Sequence, residues 1–184
     1  MHRHSLHVEP RSPVEIARHY VRELIYGAND GIITTFAVVA GVAGGGLSVQ
    51  VVLIIGAANL FADGLSMAVG NYLSIQSHES VLETQHLPEE EAFPFRHAVA
   101  TFAAFATAGS LPLMPYMLPG LPFDRFSLSI ALTFLAMFSV GASRAWIANV
   151  RWWKAGLEMM ALGALVAALA YASGSLVAAV VERQ

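Results

Sequence analysis

Between Leu24 and His78 the chain carries only two formal charges, Asp30 and Asp63. Crossing about 30 Å of hydrocarbon takes about 20 helical residues, so this stretch is too long for one crossing and long enough for two. It breaks at Gly44-Gly45-Gly46, followed by Leu47-Ser48, a poor helix interior and a good tight turn. A hairpin of spans over 24–43 and 48–77 is predicted. Three more uncharged runs follow, Ala98 to Phe123, Phe126 to Ser143 and Met159 to Val181. Pro112, Pro115, Pro119 and Pro122 stop helical geometry in the second half of the first of these. The remaining spans are therefore expected over 97–117, 126–144 and 157–181. The chain reads as an all-α integral membrane protein of five transmembrane helices.

Composition agrees. Of 184 residues, 56% are hydrophobic and 12% charged, against about 25% charged in ordinary soluble domains. A net charge of −3 leaves no basic footprint for nucleic acid, and the partner implied is the lipid bilayer. The absence of cysteine excludes disulfides, iron–sulfur clusters and thiolate zinc sites. The first apolar run follows a long polar segment, so no cleavable signal peptide is expected.

Orientation follows from the cationic residues. With five spans, Arg3, Arg11, Arg18, Arg22, Arg96, Arg144, Arg151 and Lys154 share one side, and Arg125 and Arg183 the other. This asymmetry predicts a cytosolic N-terminus. Trp146, Trp152 and Trp153 suit an aromatic belt on that side. Residues 1–11 are expected to be disordered, with His2, His4 and His7 at most loose metal ligands. Ser12-Pro13-Val14-Glu15 has the form of a capping box with proline at the first helical position. A short amphipathic interfacial helix over 12–23 is predicted, leading into the membrane domain of 24–184.

The intramembrane carboxylates are the sharpest chemical signal. A charge at bilayer depth costs at least a few kcal/mol and persists only where it faces protein, water or an ion. Asp30 and Asp63 lie at comparable distances from the Gly45 turn, so the hairpin brings them to similar depth. Along the second span Asn59, Asp63, Ser66, Met67, Gly70, Ser74 and Ser77 fall on one helical stripe. With Asp30 opposite, that stripe reads as a pathway wall lined by Asn29, Asn59, Ser66, Asn71 and Ser74. The Met67 thioether is a soft ligand accepted by Fe²⁺ and other late divalent ions. One aspartate and one methionine are too few for a closed site, and two copies would supply four ligands, which points to a homodimer.

Three segments carry a resemblance. YGANDGIITTFAVVAGVAGG (26–45) and NLFADGLSMAVGNYLS (59–74) closely resemble the first two helices of the vacuolar iron transporter family, and WWKAGLEMMALGALVAALAYASG (152–174) is similar to its last. The resemblance covers nearly all the chain beyond the N-terminal tail. It implies a five-helix dimer exporting Fe²⁺, and often Mn²⁺, from the cytosol in exchange for protons, with Asp30 and Met67 at the family's intramembrane ligand positions. Two departures stand out. Where many members carry a long Glu-rich helical insert, this chain has only QSHESVLETQHLPEEEAFPF (76–95), and Asn71 stands where many have Glu.

That short loop still holds His78, Glu79, Glu83, His86, Glu89, Glu90 and Glu91. Glu79, Glu83 and His86, at i, i+4 and i+7, would share a helix face as a weak divalent-cation site, with His78 beside them as a cytosolic entry. Glu158 is expected to pair with Arg151 or Lys154. The leading functional expectation is a secondary transporter, not an enzyme, with no permanently bound cofactor. It carries Fe²⁺ or another divalent metal on Asp30 and Met67, with Asp63, and Glu79 at the mouth, completing the metal-binding set, in a prokaryotic plasma membrane. No G-x-x-x-x-G-K-[ST] loop is present for nucleotide. The alternatives are a non-transporting scaffold subunit and an intramembrane carboxylate metalloenzyme. Such enzymes usually recruit histidine, and all seven histidines here lie outside the spans or at their ends.

Overall fold

In the computed structural model, residues 5–8, 10–120, 122–148 and 150–183 are described, apart from the side chains of Pro13 and of 146–148. His2, His4 and the Trp146 side chain therefore lie outside the described residues. The helices are α1 (Pro13–His19), α2 (Val21–Gly44), α3 (Val49–Thr84), α4 (Pro94–Gly109), α5 (Met114–Met117), α6 (Arg125–Ala148) and α7 (Trp152–Val181), with a 3₁₀ turn at Leu111–Leu113. Five segments are long and apolar enough to cross a membrane: Val21–Gly44, Val49–Thr84, Pro94–Met117, Arg125–Ala145 and Trp152–Val181. No strand forms among the described residues.

Helix α1 starts where its cap dictates. Ser12 Oγ accepts the Glu15 N–H at 3.2 Å, and Glu15 reaches back to the Arg11 N–H at 2.8 Å. The helix is shorter than the expected 12–23, because the chain breaks at Tyr20 before α2 begins. Residues 5–8 make backbone contacts with the loop between α3 and α4. The Leu6 N–H donates to the Glu89 carbonyl at 2.8 Å, and Ser5 bridges Glu89 in parallel.

The Gly44-Gly45-Gly46 break is a helix cap in detail. Gly46 takes φ +66°, the Gly46 N–H bonds Ala43 O, and the Leu47 N–H bonds Val42 O at 3.1 Å. This paired pattern closes a helix through one left-handed residue, where glycine carries no side-chain penalty. Helix α3 then runs seven residues past the expected end at 77. Its 36 residues correspond to about 54 Å, well beyond the ~30 Å of hydrocarbon. The final turns, over 75–84, must therefore project from the membrane. Its end repeats the same cap with a different residue: His86 at φ 57°, with His86 N–H to Glu83 O and Leu87 N–H to Leu82 O.

Helix α2 is the central element, packed on α3, α4, α6 and α7. Its approach to α4 depends on Gly31, where an added Cβ would collide with the Phe105 backbone carbonyl. Small residues at such crossings let membrane helices approach closely. Helix α3 is peripheral, touching α2, α4 and the short 111–117 segment. Phe61, Leu65, Val69 and Leu73 remain exposed on it, as do Leu162, Leu165, Leu169 and Leu176 on α7. The third span ends in the expected region, since Pro112 and Pro115 open the 3₁₀ turn and α5 rather than continuing α4.

Candidate metal pathway

Asp30 on α2 and Asp63 and Met67 on α3 are all half-buried. Asp63 and Met67, four residues apart, lie one above the other on the same helix face. Asp30 and Asp63 stand on the two arms of the hairpin, α2 and α3, which pack against each other. Thr34 Oγ1 donates to the Asp30 backbone carbonyl at 2.8 Å, a bond within α2 that does not engage the carboxylate.

The predicted stripe on α3 divides, with Asn59, Asp63 and Met67 half-buried and Ser66, Gly70, Ser74 and Ser77 exposed, and each part belongs to a longer line of residues. Asn59, Asp63, Met67 and Asn71, each four residues from the next, are half-buried and turned towards the bundle. Asn71 Nδ2 donates to Thr101 Oγ1 at 2.9 Å, and Thr101 in turn donates to the His97 carbonyl at 2.9 Å. Asn71 therefore ties α3 to α4. Asn59 Nδ2 is buried without a hydrogen-bond partner among the described residues. The outer line is Ala58, Ala62, Ser66, Gly70 and Ser74, every one exposed and small. Ser74 also borders a cavity of about 390 Å³ shared with His78, Glu79, Glu90, Glu91 and His97.

Other predicted residues occupy different surroundings. Asn29 opens onto a groove with Tyr26, Arg144 and Met159, to which α3 contributes no residue. Its Oδ1 is buried and unbonded among the described residues. Glu79 lies on the projecting end of α3, and its Oε1 accepts the Glu90 and Glu91 N–H groups at 3.0 and 2.8 Å. One oxygen of Glu79 thus folds the loop. His78 Nε2 stands 3.2 Å from Glu90 Oε2 on the exposed surface. Glu83 is exposed on the last turn of α3. His86 is not on the face of Glu79 and Glu83, because the helix stops at Thr84 and His86 serves as the left-handed residue of its cap. Glu158 pairs with Arg144 of α6 at 3.1 Å, not with Arg151 or Lys154.

Sequence reasoning passed over one constellation at this same end. Glu91 Oε1 lies 2.9 Å from His7 Nδ1, 3.1 Å from His97 Nε2 and 3.6 Å from His19 Nε2. No local spacing connects residues 7, 19, 91 and 97, and only the fold assembles them.

The VIT family model matches this chain over residues 21–93 and 78–175. The chain belongs to the VIT family. Among similar proteins, vacuolar iron transporter 1 of Arabidopsis thaliana is 24% identical over 82% of this chain and 83% of its own length. Vacuolar iron transporter homolog 3 of the same plant is 26% identical over 83% of this chain and 80% of its own. A vacuolar iron transporter of Toxoplasma gondii is 42% identical, over 39% of this chain. That match spans 24% of the Toxoplasma protein. With its five long apolar helices, this VIT family member is a multi-pass membrane protein.

Proposed function

We propose that the chain is a secondary transporter carrying Fe²⁺, and Mn²⁺ with it, out of the cytosol in exchange for protons. What supports this reading is that Asp30 on α2 and Asp63 and Met67 on α3 are half-buried ligand-type side chains on the two packed arms of one hairpin. A carboxylate in low-dielectric surroundings is stabilised when either a proton or a metal neutralises it. Competition between the two at Asp30 and Asp63 is the physical basis of exchange. The Met67 sulfur favours late divalent ions over Mg²⁺ or Ca²⁺, which prefer oxygen. No bond of the cargo is made or broken, so no catalytic residue is needed. The relatives named as vacuolar iron transporters support iron as the cargo.

The functional unit is a homodimer. Five exposed small residues at four-residue intervals, Ala58 to Ser74, form the surface on which membrane helices pack closely. A second copy against this line doubles the ligand set. The N-terminus, α1 and the projecting end of α3 lie on the cytosolic side, as the Lys/Arg asymmetry requires.

The test is uptake by vesicles containing the purified protein and a trapped iron indicator. Protein-dependent Fe²⁺ entry with opposed proton movement supports the proposal. A scaffold subunit or a metalloenzyme gives no flux above empty vesicles.

A further inference from the structure

Where the N-terminal segment meets the loop between α3 and α4, five titratable side chains from five parts of the chain converge. His7 comes from the lead-in, His19 from the last turn of α1, Glu23 from the first turn of α2, Glu91 from the loop and His97 from the first turn of α4. The ligand atoms of His7, His19 and Glu91 all lie within 4.8 Å of one another. Two of these separations are 2.9 and 3.6 Å, measured from Glu91 Oε1. Donors bound ~2.0–2.2 Å from one ion stand roughly 3–3.5 Å apart in tetrahedral or octahedral geometry. The observed separations bracket that range.

The contacts are not aligned hydrogen bonds. His19 Nε2 and Glu91 Oε1 are buried from solvent, and neither has a partner at hydrogen-bonding angles among the described residues. Buried polar atoms normally find such partners, and each exception calls for an explanation. Two imidazole nitrogens and one carboxylate oxygen gathered within 4.8 Å of one another, in contacts that are not aligned hydrogen bonds, have the make-up of a ligand set.

Behind this set stands a second layer. His97 places Nε2 3.1 Å from Glu91 Oε1 and Nδ1 3.2 Å from Glu23 Oε1. Glu23 is in turn held by Arg22, whose guanidinium lies 2.8 Å away. The His97 and Glu23 side chains are only 5% and 2% exposed. The two His97 contacts are also close charge contacts rather than aligned hydrogen bonds, so His97 and Glu23 act on Glu91 through charge and packing. His7 packs edge-on to Phe93 and His19 edge-on to Tyr20, which limits the rotation of both rings. Access comes from the 390 Å³ cavity that Glu91 and His97 border.

We propose that His7, His19 and Glu91 form a divalent-metal site, separate from the intramembrane pathway, with His97 and Glu23 as positioning residues. Two imidazoles and one carboxylate suit a late first-row ion such as Fe²⁺, Co²⁺ or Zn²⁺ and leave positions for water. An ion there joins the lead-in segment and α1 to the loop that enters α4. The proposal does not depend on transport.

Co²⁺ is the probe, used on the full-length, tag-free protein with His2→Ala, His4→Ala and Asp30→Ala, so that neither the extreme N-terminus nor the pathway contributes. The expected result is one saturable Co²⁺ per chain, with visible ligand-field bands and two exchangeable imidazole N–H resonances shifted by the paramagnetic ion. Adding His19→Gln or Glu91→Gln weakens binding at least tenfold, while His86→Gln leaves it unchanged. Should a variant fail to fold, the parent protein's own shifted N–H resonances decide the question. Absence of a one-per-chain site in the parent, of those resonances, or of any loss in folded His19→Gln and Glu91→Gln proteins overturns the proposal and leaves an ion-pair cluster.

Discussion

Gly31→Ala and Gly70→Ala are the same chemical change in the interiors of two long helices, with opposite surroundings. A Cβ on Gly31 collides with the Phe105 carbonyl oxygen and lies 3.0 Å from the Phe105 carbonyl carbon and Cα. All three are backbone atoms of α4, which cannot rotate away, so α2 and α4 must separate. A Cβ on Gly70 meets nothing within 4 Å. Both substitutions gain up to about 1 kcal/mol of helix propensity. Only Gly31→Ala also carries the cost of overpacking, typically about 1–3 kcal/mol. The propensity gain cancels in the comparison, so Gly31→Ala should be less stable than Gly70→Ala by about 1–3 kcal/mol. That is roughly a 5- to 150-fold difference in the unfolding equilibrium. The assay is equilibrium unfolding of each protein, held monomeric in detergent, by increasing mole fractions of a denaturing detergent. Equal stability, or Gly31→Ala the more stable, would refute the claim that the α2–α4 crossing rests on backbone contact at Gly31.

Three other outcomes are expected. Asn71→Leu and Thr101→Val in a double-mutant cycle should show a coupling of about 0.6–1 kcal/mol, the usual worth of one interhelical hydrogen bond in a membrane protein; additivity would mean that the 2.9 Å contact does not form. His86→Gly removes a side chain from a left-handed position and should stabilise the protein by about 1 kcal/mol without reducing metal uptake, whereas a loss of uptake would restore His86 as a ligand. Asp124 caps α6 through the Ser127 N–H and O–H at 2.8 and 2.9 Å, and these bonds hold its carboxyl below the ordinary 3.8. A lowered folded value contributes stability that is present above 3.8 and lost as pH falls through the folded value, so the advantage of the native chain over Asp124→Asn should be constant near neutrality and shrink in acid; an advantage independent of pH in acid would contradict the cap.

The spans were legible because hydrocarbon thickness imposes its own ruler on the charge pattern. Uncharged runs and the Gly44-Gly45-Gly46 break need no tertiary information to be read. Asp30 and Asp63 were legible for the same reason, since any ionisable group within such a run must have a partner. The projecting end of α3 was not, because Gln76 to Thr84 is polar and reads equally well as a loop. Its helicity continues the helix before it and ends only at the His86 cap. The spacing offers Glu79 as a ligand at the mouth, and only the fold shows its Oε1 taken by the Glu90 and Glu91 amides. The histidine cluster was hidden most deeply. Its members lie on opposite sides of two spans in the sequence, and each alone is an ordinary polar residue near a membrane end. The Arg144–Glu158 pair was missed similarly, since nearer cations on the chain made sequence distance a poor guide.

The central claim is that metal passes through the set made by Asp30, Asp63 and Met67, and flux through purified, folded variants in vesicles tests it most directly. Asp30→Ala should abolish Fe²⁺ flux at every metal concentration, because Asp63 and Met67 alone leave the set one charge and one ligand short. Met67→Leu, which keeps the packing volume, should reduce flux or shift preference towards ions that do not need sulfur. Undiminished Fe²⁺ flux in correctly folded Asp30→Ala protein would contradict the account.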